Sequence, residues 1–154
     1  TVARQIGFHQ FEVKFHEARI KSELTPNEIS DIWMETQSYA VGPSINLNSD
    51  YSVLWGYIPH FVHTPFYVYA YAFGDSLVNA LWHSYQMSDK ENFSKKYIEM
   101  LSAGGTKSHN ELLKPFNLSA YESTFWNQGI SMITGLMDEL DIIKRKLAQS
   151  LTQI

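Results

Sequence analysis

Imidazole and phenol side chains are concentrated in one stretch near the middle of this 154-residue sequence. His60 and His63 are followed closely by Tyr67, Tyr69 and Tyr71. Imidazole N–H and phenol O–H groups can hold a peptide carbonyl or stabilise an oxyanion when a rigid element directs them. Aromatic side chains at helical spacing are, however, more often part of a packed core. The stretch is therefore a candidate site with a packing alternative.

Zinc chemistry needs a ligand set that this sequence does not complete. A zinc-peptidase helix of the HExxH type carries two histidines four residues apart, with a glutamate between them as general base. The nearest match begins at His16 and has Ile20, which cannot bind metal, at the second ligand position. His60 and His63 have no third ligand nearby in the sequence. We therefore predict no metal ligands in this chain.

Other function classes are disfavoured by composition. The sequence has no cysteine and no Gly-x-Ser-x-Gly motif, so it offers neither a thiol nor a serine-hydrolase nucleophile. Its net charge of −4 without a basic block argues against nucleic acid as a partner. Its apolar runs are too short for a membrane span, and the lack of cysteine makes the cytoplasm the default location. Read from the residues alone, the chain carries no complete catalytic apparatus.

Helical periodicity dominates the sequence outside this stretch. Aromatic residues recur at helical spacing in residues 3–21, and Thr25 with Glu28 forms a capping box for the next helix. Ser108 with Glu111 forms a second capping box, and a long helix is predicted from about Ser123 onwards. The first helix also has a second apolar face, formed by Ile6, Val13 and Ile20.

Two prolines delimit the segment that contains His60. Pro59 and Pro65 are expected to keep the residues around His60 out of a helix. Thr64 is predicted to cap a helix that starts at Pro65 and continues to about Gln86.

The same helix constrains the tyrosines. At about 100° per residue, Tyr67 and Tyr69 lie about 200° apart around its axis, whereas Tyr71 falls near the face of Tyr67. Tyr69 shares its face with the small residues Ala72 and Ser76. Together these patterns predict an all-α fold of five or six helices, forming one domain over residues 1–154.

Several ordered motifs run along nearly the whole chain. The central one is Ile58-Pro59-His60-Phe61, followed by Pro65-Phe66-Tyr67-Val68-Tyr69-Ala70-Tyr71-Ala72 and Gly74. Others flank it on both sides: Arg4-Gln5, Phe11-Glu12, His16-Glu17 and Leu24-Thr25 upstream, and Tyr97-Ile98-Glu99-Met100-Leu101-Ser102-Ala103-Gly104-Gly105, Glu111-Leu112-Leu113, Phe125-Trp126-Asn127-Gln128-Gly129 and Asp138-Glu139-Leu140 downstream. In order and spacing, this set resembles the C-terminal part of the oligoendopeptidase F family of zinc metallopeptidases, in the thimet-oligopeptidase-like group.

The resemblance implies an all-α metalloendopeptidase that cleaves oligopeptides with zinc-activated water. The family's zinc ligands would precede this chain, so the resemblance implies zinc in a full-length parent and none expected in this chain alone. In that group a histidine and a tyrosine after the zinc helix bind the substrate and its oxyanion. The matching positions are His60 and Tyr69. Tyr67 is a second candidate for the tyrosine that contacts the oxyanion and is also expected to bind the substrate.

A fragment and a standalone domain remain alternative interpretations. The sequence begins at Thr1 without an initiator methionine, which fits a C-terminal fragment whose partner is the remainder of the peptidase chain and which is inactive by itself. A standalone helical domain would instead bind a partner, or bind peptides without cleaving them.

Overall fold

The computed structural model describes residues 1–151, and all regular structure in that range is helical. The all-α fold class is therefore confirmed. In chain order the elements are α1 (Val2–Lys21), α2 (Pro26–Val41), a 3₁₀ segment (Ser49–Tyr57), α3 (His60–His63), α4 (Tyr69–Met87), α5 (Lys90–Ser102), α6 (His109–Leu113), a second 3₁₀ segment (Lys114–Phe116) and α7 (Ser123–Leu151).

The chain divides into two compact units. The first unit comprises residues 1–75 and the second comprises residues 76–154. Each has its own set of buried apolar side chains. The prediction of one domain over residues 1–154 stays a prediction.

The core of the first unit is built around Trp33 of α2. The Trp33 ring stacks on Phe8 with centroids 5.4 Å apart and meets Phe11 edge-on at 5.2 Å. Val68 completes the buried cluster, although it lies far from the other three in the sequence. Because Phe8 and Phe11 are one helical turn apart on α1, this core fixes the α1 face that packs on α2.

A glycine allows α1 and α2 to approach each other closely. A Cβ added at Gly7 would lie 2.7 Å from the Cβ of Ala40, so the two backbones could not keep their separation. We expect Gly7→Ala to destabilise the first unit by roughly 1–3 kcal/mol through overpacking. Gly74→Ala is the matched control, because a Cβ there meets nothing within 4 Å and alanine favours a helix.

Chemical denaturation of both variants, followed by circular dichroism, measures this difference. A Gly7→Ala protein as stable as the unmodified chain would show that the helix pair can separate without cost.

Both predicted capping boxes are confirmed. The Glu28 N–H donates to the Thr25 hydroxyl, and the Thr25 backbone N–H donates to the Glu28 carboxylate at 2.7 Å. The pKa of Glu28 is lowered from its usual value. The main cause is this backbone hydrogen bond, and the second is the hydrogen bond from the Thr25 hydroxyl. Ser108 and Glu111 repeat the arrangement at the start of α6. These helix starts depend only on residues three apart, which is why they could be predicted.

In the second unit, α5, the second 3₁₀ segment and α7 contribute buried aromatic residues. Phe93 of α5 meets Phe116 with centroids 5.0 Å apart, and Phe125 near the start of α7 is fully buried. Gly129 of α7 lies against the backbone of Ser76, where an added Cβ would be 3.2 Å from the Ser76 carbonyl oxygen. The N-terminal part of α7 is therefore packed within its unit.

Two apolar helix faces are left exposed among the described residues. On α1, Ile6 and Ile20 of the predicted second apolar face are both exposed. On α7, a stripe of apolar residues at helical spacing is exposed throughout: Trp126, Ile130, Ile133, Met137, Leu140, Ile143 and Leu147. No helix in residues 1–151 is long and apolar enough to cross a membrane.

The segment around His60 differs from the prediction in two ways. His60–His63 form one α-helical turn, because Pro59 lies at the N-cap, where its fixed φ of −64° suits the turn and its missing N–H costs nothing. The longer helix begins at Tyr69 rather than at Pro65. Both expectations for this segment were therefore wrong.

Candidate functional site

His60 lies at the start of α3 and is held by local backbone hydrogen bonds. The His63 N–H donates to the Pro59 carbonyl at 2.9 Å, and the Thr64 N–H donates to the His60 carbonyl at 3.0 Å. The His60 side chain is partly buried. It therefore projects from a short but hydrogen-bonded turn.

The chain then changes direction at Phe66. This residue has a φ of +61°, in the left-handed region that residues other than glycine adopt uncommonly. Its N–H donates to Oε1 of Glu12 at 2.7 Å. Two residues later Val68 is buried in the core of the first unit. Tyr67 is thus anchored on both sides, and its own side chain is exposed.

The structure brings His60, Tyr67 and Tyr71 together, and we call these three residues the His60 cluster. Nε2 of His60 and the hydroxyl of Tyr71 are hydrogen-bonded at 3.0 Å. The Tyr67 ring is parallel to the imidazole, with centroids 6.1 Å apart and an interplanar angle of 5°. Tyr67 and Tyr71 meet edge-on at 5.7 Å, so their rings lie side by side, although Tyr67 precedes the helix that contains Tyr71.

Tyr69 lies against a different histidine. Its ring meets the ring of His9 on α1 edge-on, with centroids 5.9 Å apart. The Phe66 ring contacts the same histidine and also His16, at centroid distances of 6.3 and 4.9 Å. Tyr69 is 55% exposed. The two predicted catalytic residues therefore have different neighbours. His60 contacts Tyr67 and Tyr71, whereas Tyr69 contacts His9.

The His60 cluster offers hydrogen-bond donors that could hold a peptide. Depending on the tautomer, either the Tyr71 hydroxyl donates to Nε2 or Nε2–H donates to the Tyr71 oxygen. In both cases the bond orients the imidazole ring. The half-exposed Tyr67 ring adds an apolar surface beside it. This arrangement suits binding of a carbonyl or an oxyanion rather than nucleophilic attack.

A zinc ion does not fit the residues that the structure describes. Within residues 1–151, no three histidine, aspartate or glutamate side chains are grouped so that they could hold a metal. Ile20, at the second ligand position of the incomplete motif, is exposed and cannot coordinate.

Two residues near the site were not assigned a role from the sequence. Glu12 is a carboxylate that lies within the apolar stripe of α1. Its charge at such a position is the sequence feature that could have indicated a role. Tyr71 was placed on the face of Tyr67, but its hydrogen bond to His60 depends on the turn at Phe66.

The all-helical fold agrees with the family comparison. A family model described as peptidase family M3 matches residues 1–132. The chain therefore belongs to peptidase family M3, a class of metallopeptidases, and the resemblance stated above is confirmed.

Curated relatives of this chain carry the name oligoendopeptidase F or oligoendopeptidase F homolog. The plasmid-encoded oligoendopeptidase F of Lactococcus lactis subsp. cremoris is 26% identical over 147 residues, covering 95% of this chain and 24% of that protein. The chromosomal form from the same organism is 25% identical over 150 residues, with the same coverage. An oligoendopeptidase F homolog of Borreliella burgdorferi is 32% identical over 108 residues, or 70% of this chain and 18% of that protein.

Each of these matches covers only a small part of the relative's own length. The chain spans about a quarter of the length of the Lactococcus relatives that it matches. No solved structure matches the chain.

Proposed function

We propose that this chain is part of a zinc metalloendopeptidase that hydrolyses oligopeptides. The match to peptidase family M3 over residues 1–132 is the observation that carries this proposal. Relatives named oligoendopeptidase F, aligned over nearly the whole chain, support oligopeptides as the substrate class.

Within that enzyme, His60 and Tyr69 donate hydrogen bonds to the substrate carbonyl and to the oxyanion, and Tyr67 contacts the substrate. His60 is supported by its hydrogen bond to Tyr71, and Tyr69 by the exposure of about half of its surface. Such donors act best when they are already in place before charge develops.

Tyr71 is a second candidate for the phenol donor. It is the tyrosine that is hydrogen-bonded to His60, at 3.0 Å, whereas Tyr69 packs on His9. If Tyr71 donates to the oxyanion, His60 and Tyr71 act as one pair. If Tyr69 does, the role of Tyr71 is to orient the imidazole.

Zinc and the remaining catalytic groups come from a longer protein in this proposal. The residues described here do not form a zinc site, so the ligands would lie in a preceding segment. The exposed apolar faces of α1 and α7 support contact with further helices, because large apolar patches on soluble proteins usually mark interaction surfaces. A cytoplasmic location completes the proposal and rests on the cysteine-free sequence.

The proposal is tested with internally quenched oligopeptides and the longer protein that contains this chain. We expect hydrolysis that stops when a chelator removes zinc and returns when zinc is added. The 154-residue chain alone should neither hydrolyse the peptides nor hold zinc in stoichiometric amounts. Tight, stoichiometric zinc in the purified chain would contradict the assignment of the ligands to another segment.

The alternative function is a standalone helical domain that binds a partner without catalysis. The exposed apolar stripe of α7 favours it, since this stripe would suit a helical partner. The coding sequence upstream of Thr1 separates the two functions. An upstream HExxH motif followed by a glutamate supports the peptidase. A start codon directly before Thr1 supports the standalone domain.

A further inference from the structure

Glu12 is a buried carboxylate that is only half satisfied. Its side chain is 1% exposed, at the interior face of α1. Oε1 accepts the Phe66 N–H at 2.7 Å, while Oε2 is buried and has no hydrogen-bond partner among the described residues. Burying a carboxylate with so few partners costs stability. Core packing alone does not explain this residue, because an apolar side chain of similar size would fill the space without that cost.

The hydrogen bond from Phe66 falls where the backbone most needs support. Phe66 has a φ of +61°, which a phenylalanine adopts only when its surroundings hold it there. Its N–H, directed at Glu12, belongs to no helix. The carboxylate thus stabilises the turn between α3 and α4 across 54 residues of sequence.

This turn sets the relative positions of the three members of the His60 cluster. His60 precedes the turn, and Tyr67 and Tyr71 follow it. Tyr67 lies between Phe66, which is held by Glu12, and Val68, which is held by the core. If the Phe66 anchor is lost, Tyr67 and Tyr71 can move relative to the imidazole while Val68 stays buried.

We propose that Glu12 is a positioning residue that holds the Phe66 turn and thereby orients Tyr67 and Tyr71 against His60. The structural part of this inference depends only on the contacts above. Its consequence for peptide hydrolysis rests on the function proposed for the chain.

The structural part is tested by NMR on the 154-residue chain at one fixed pH. The variants are Glu12→Met, which removes the acceptor at similar size, and Glu12→Gln, which keeps an amide oxygen at that place. We expect Glu12→Met to shift the ring signals of His60, Tyr67 and Tyr71, and Glu12→Gln to leave them near their original positions. Glu17→Met is the matched control, because Glu17 is on the same helix and exposed.

A purely structural role predicts another pattern. Glu12→Met would then change the unfolding midpoint but leave the ring signals of the folded protein unchanged, which would overturn the proposal. If Glu12→Met does not fold, hydrogen exchange of the unmodified chain tests whether Glu12 holds the Phe66 N–H. The Phe66 amide should exchange at least about 10-fold more slowly than an unprotected amide, and exchange at the unprotected rate would also overturn the proposal.

The kinetic part is measured in the longer peptidase. Glu12→Met should lower kcat about 10-fold with little change in KM, because the donors are displaced rather than removed, and Glu12→Gln should restore most of the loss. An unchanged kcat, with ring signals that shift as expected, would confirm Glu12 as a positioning residue and contradict the role of the His60 cluster in catalysis. The two failures are therefore distinguishable.

Discussion

Tyr69→Phe is expected to lower kcat of the longer peptidase by about 100-fold, because it removes one hydrogen-bond donor from the transition state. Phenylalanine keeps the ring that packs against His9 and deletes only the hydroxyl. The effect should therefore appear in kcat rather than in stability. Hydrolysis of a quenched oligopeptide under saturating and limiting substrate separates kcat from KM.

Tyr71→Phe is the decisive companion variant. If Tyr69 is the oxyanion donor, Tyr71→Phe loses only the bond that orients His60, and its kcat should fall less than that of Tyr69→Phe. The reverse order would assign the donor role to Tyr71, which is hydrogen-bonded to His60. Tyr39→Phe is the control, since this side chain is 79% exposed on α2 and should leave kcat unchanged. If neither variant alters kcat, neither Tyr69 nor Tyr71 donates to the oxyanion.

Trp33→Ala should destabilise the first unit by about 3–5 kcal/mol, the cost of removing a large buried aromatic side chain. Trp33 is 1% exposed and contacts Phe8 and Phe11 through its ring. Its Nε1–H also donates to the Tyr51 carbonyl at 2.9 Å, so the variant would leave that acceptor without its partner. Because small domains are stable by only 5–15 kcal/mol, we expect a large shift of the unfolding midpoint.

Circular dichroism during guanidinium unfolding measures this loss. Trp82→Ala is the matched control, because the Trp82 side chain is about half exposed on α4 and should cost much less. A loss at Trp33 no larger than the loss at Trp82 would show that the aromatic cluster does not hold α1 on α2.

Much of the helical architecture could be predicted from local sequence. The capping boxes at Thr25 and Ser108 place helix starts correctly, since their hydrogen bonds join residues three positions apart. Asp89 caps α5 in the same local way, and its carboxylate accepts the Asn92 N–H at 2.8 Å. Such signals need no knowledge of the rest of the fold.

The segment from Pro59 to Tyr69 could not be predicted in this way. Local rules placed a helix start at Pro65, where the proline ring suits the first helical position. The structure instead places Phe66 in the left-handed region, and the acceptor for its N–H is a carboxylate on α1. A contact across 54 residues overrides the local preference here.

The candidate site shows the same division. His60, Tyr67 and Tyr69 were singled out by their residue types and by the motif that they share with the oligoendopeptidase F family. The predicted angle between Tyr67 and Tyr69 assumed a helix from Pro65, whereas the helix begins at Tyr69. Which tyrosine meets which histidine does not follow from these rules. The structure pairs Tyr71 with His60 and Tyr69 with His9.

The sequence by itself determined most of the helices, the two capping boxes and the family, because periodicity, capping and ordered motifs are properties of neighbouring residues. Only the tertiary structure decided that Glu12 holds the turn at Phe66, and with it the composition of the His60 cluster. The physical reason is that packing around Trp33 brings α1 and the His60 segment together, and a hydrogen bond between residues 54 positions apart has no local signature in the sequence.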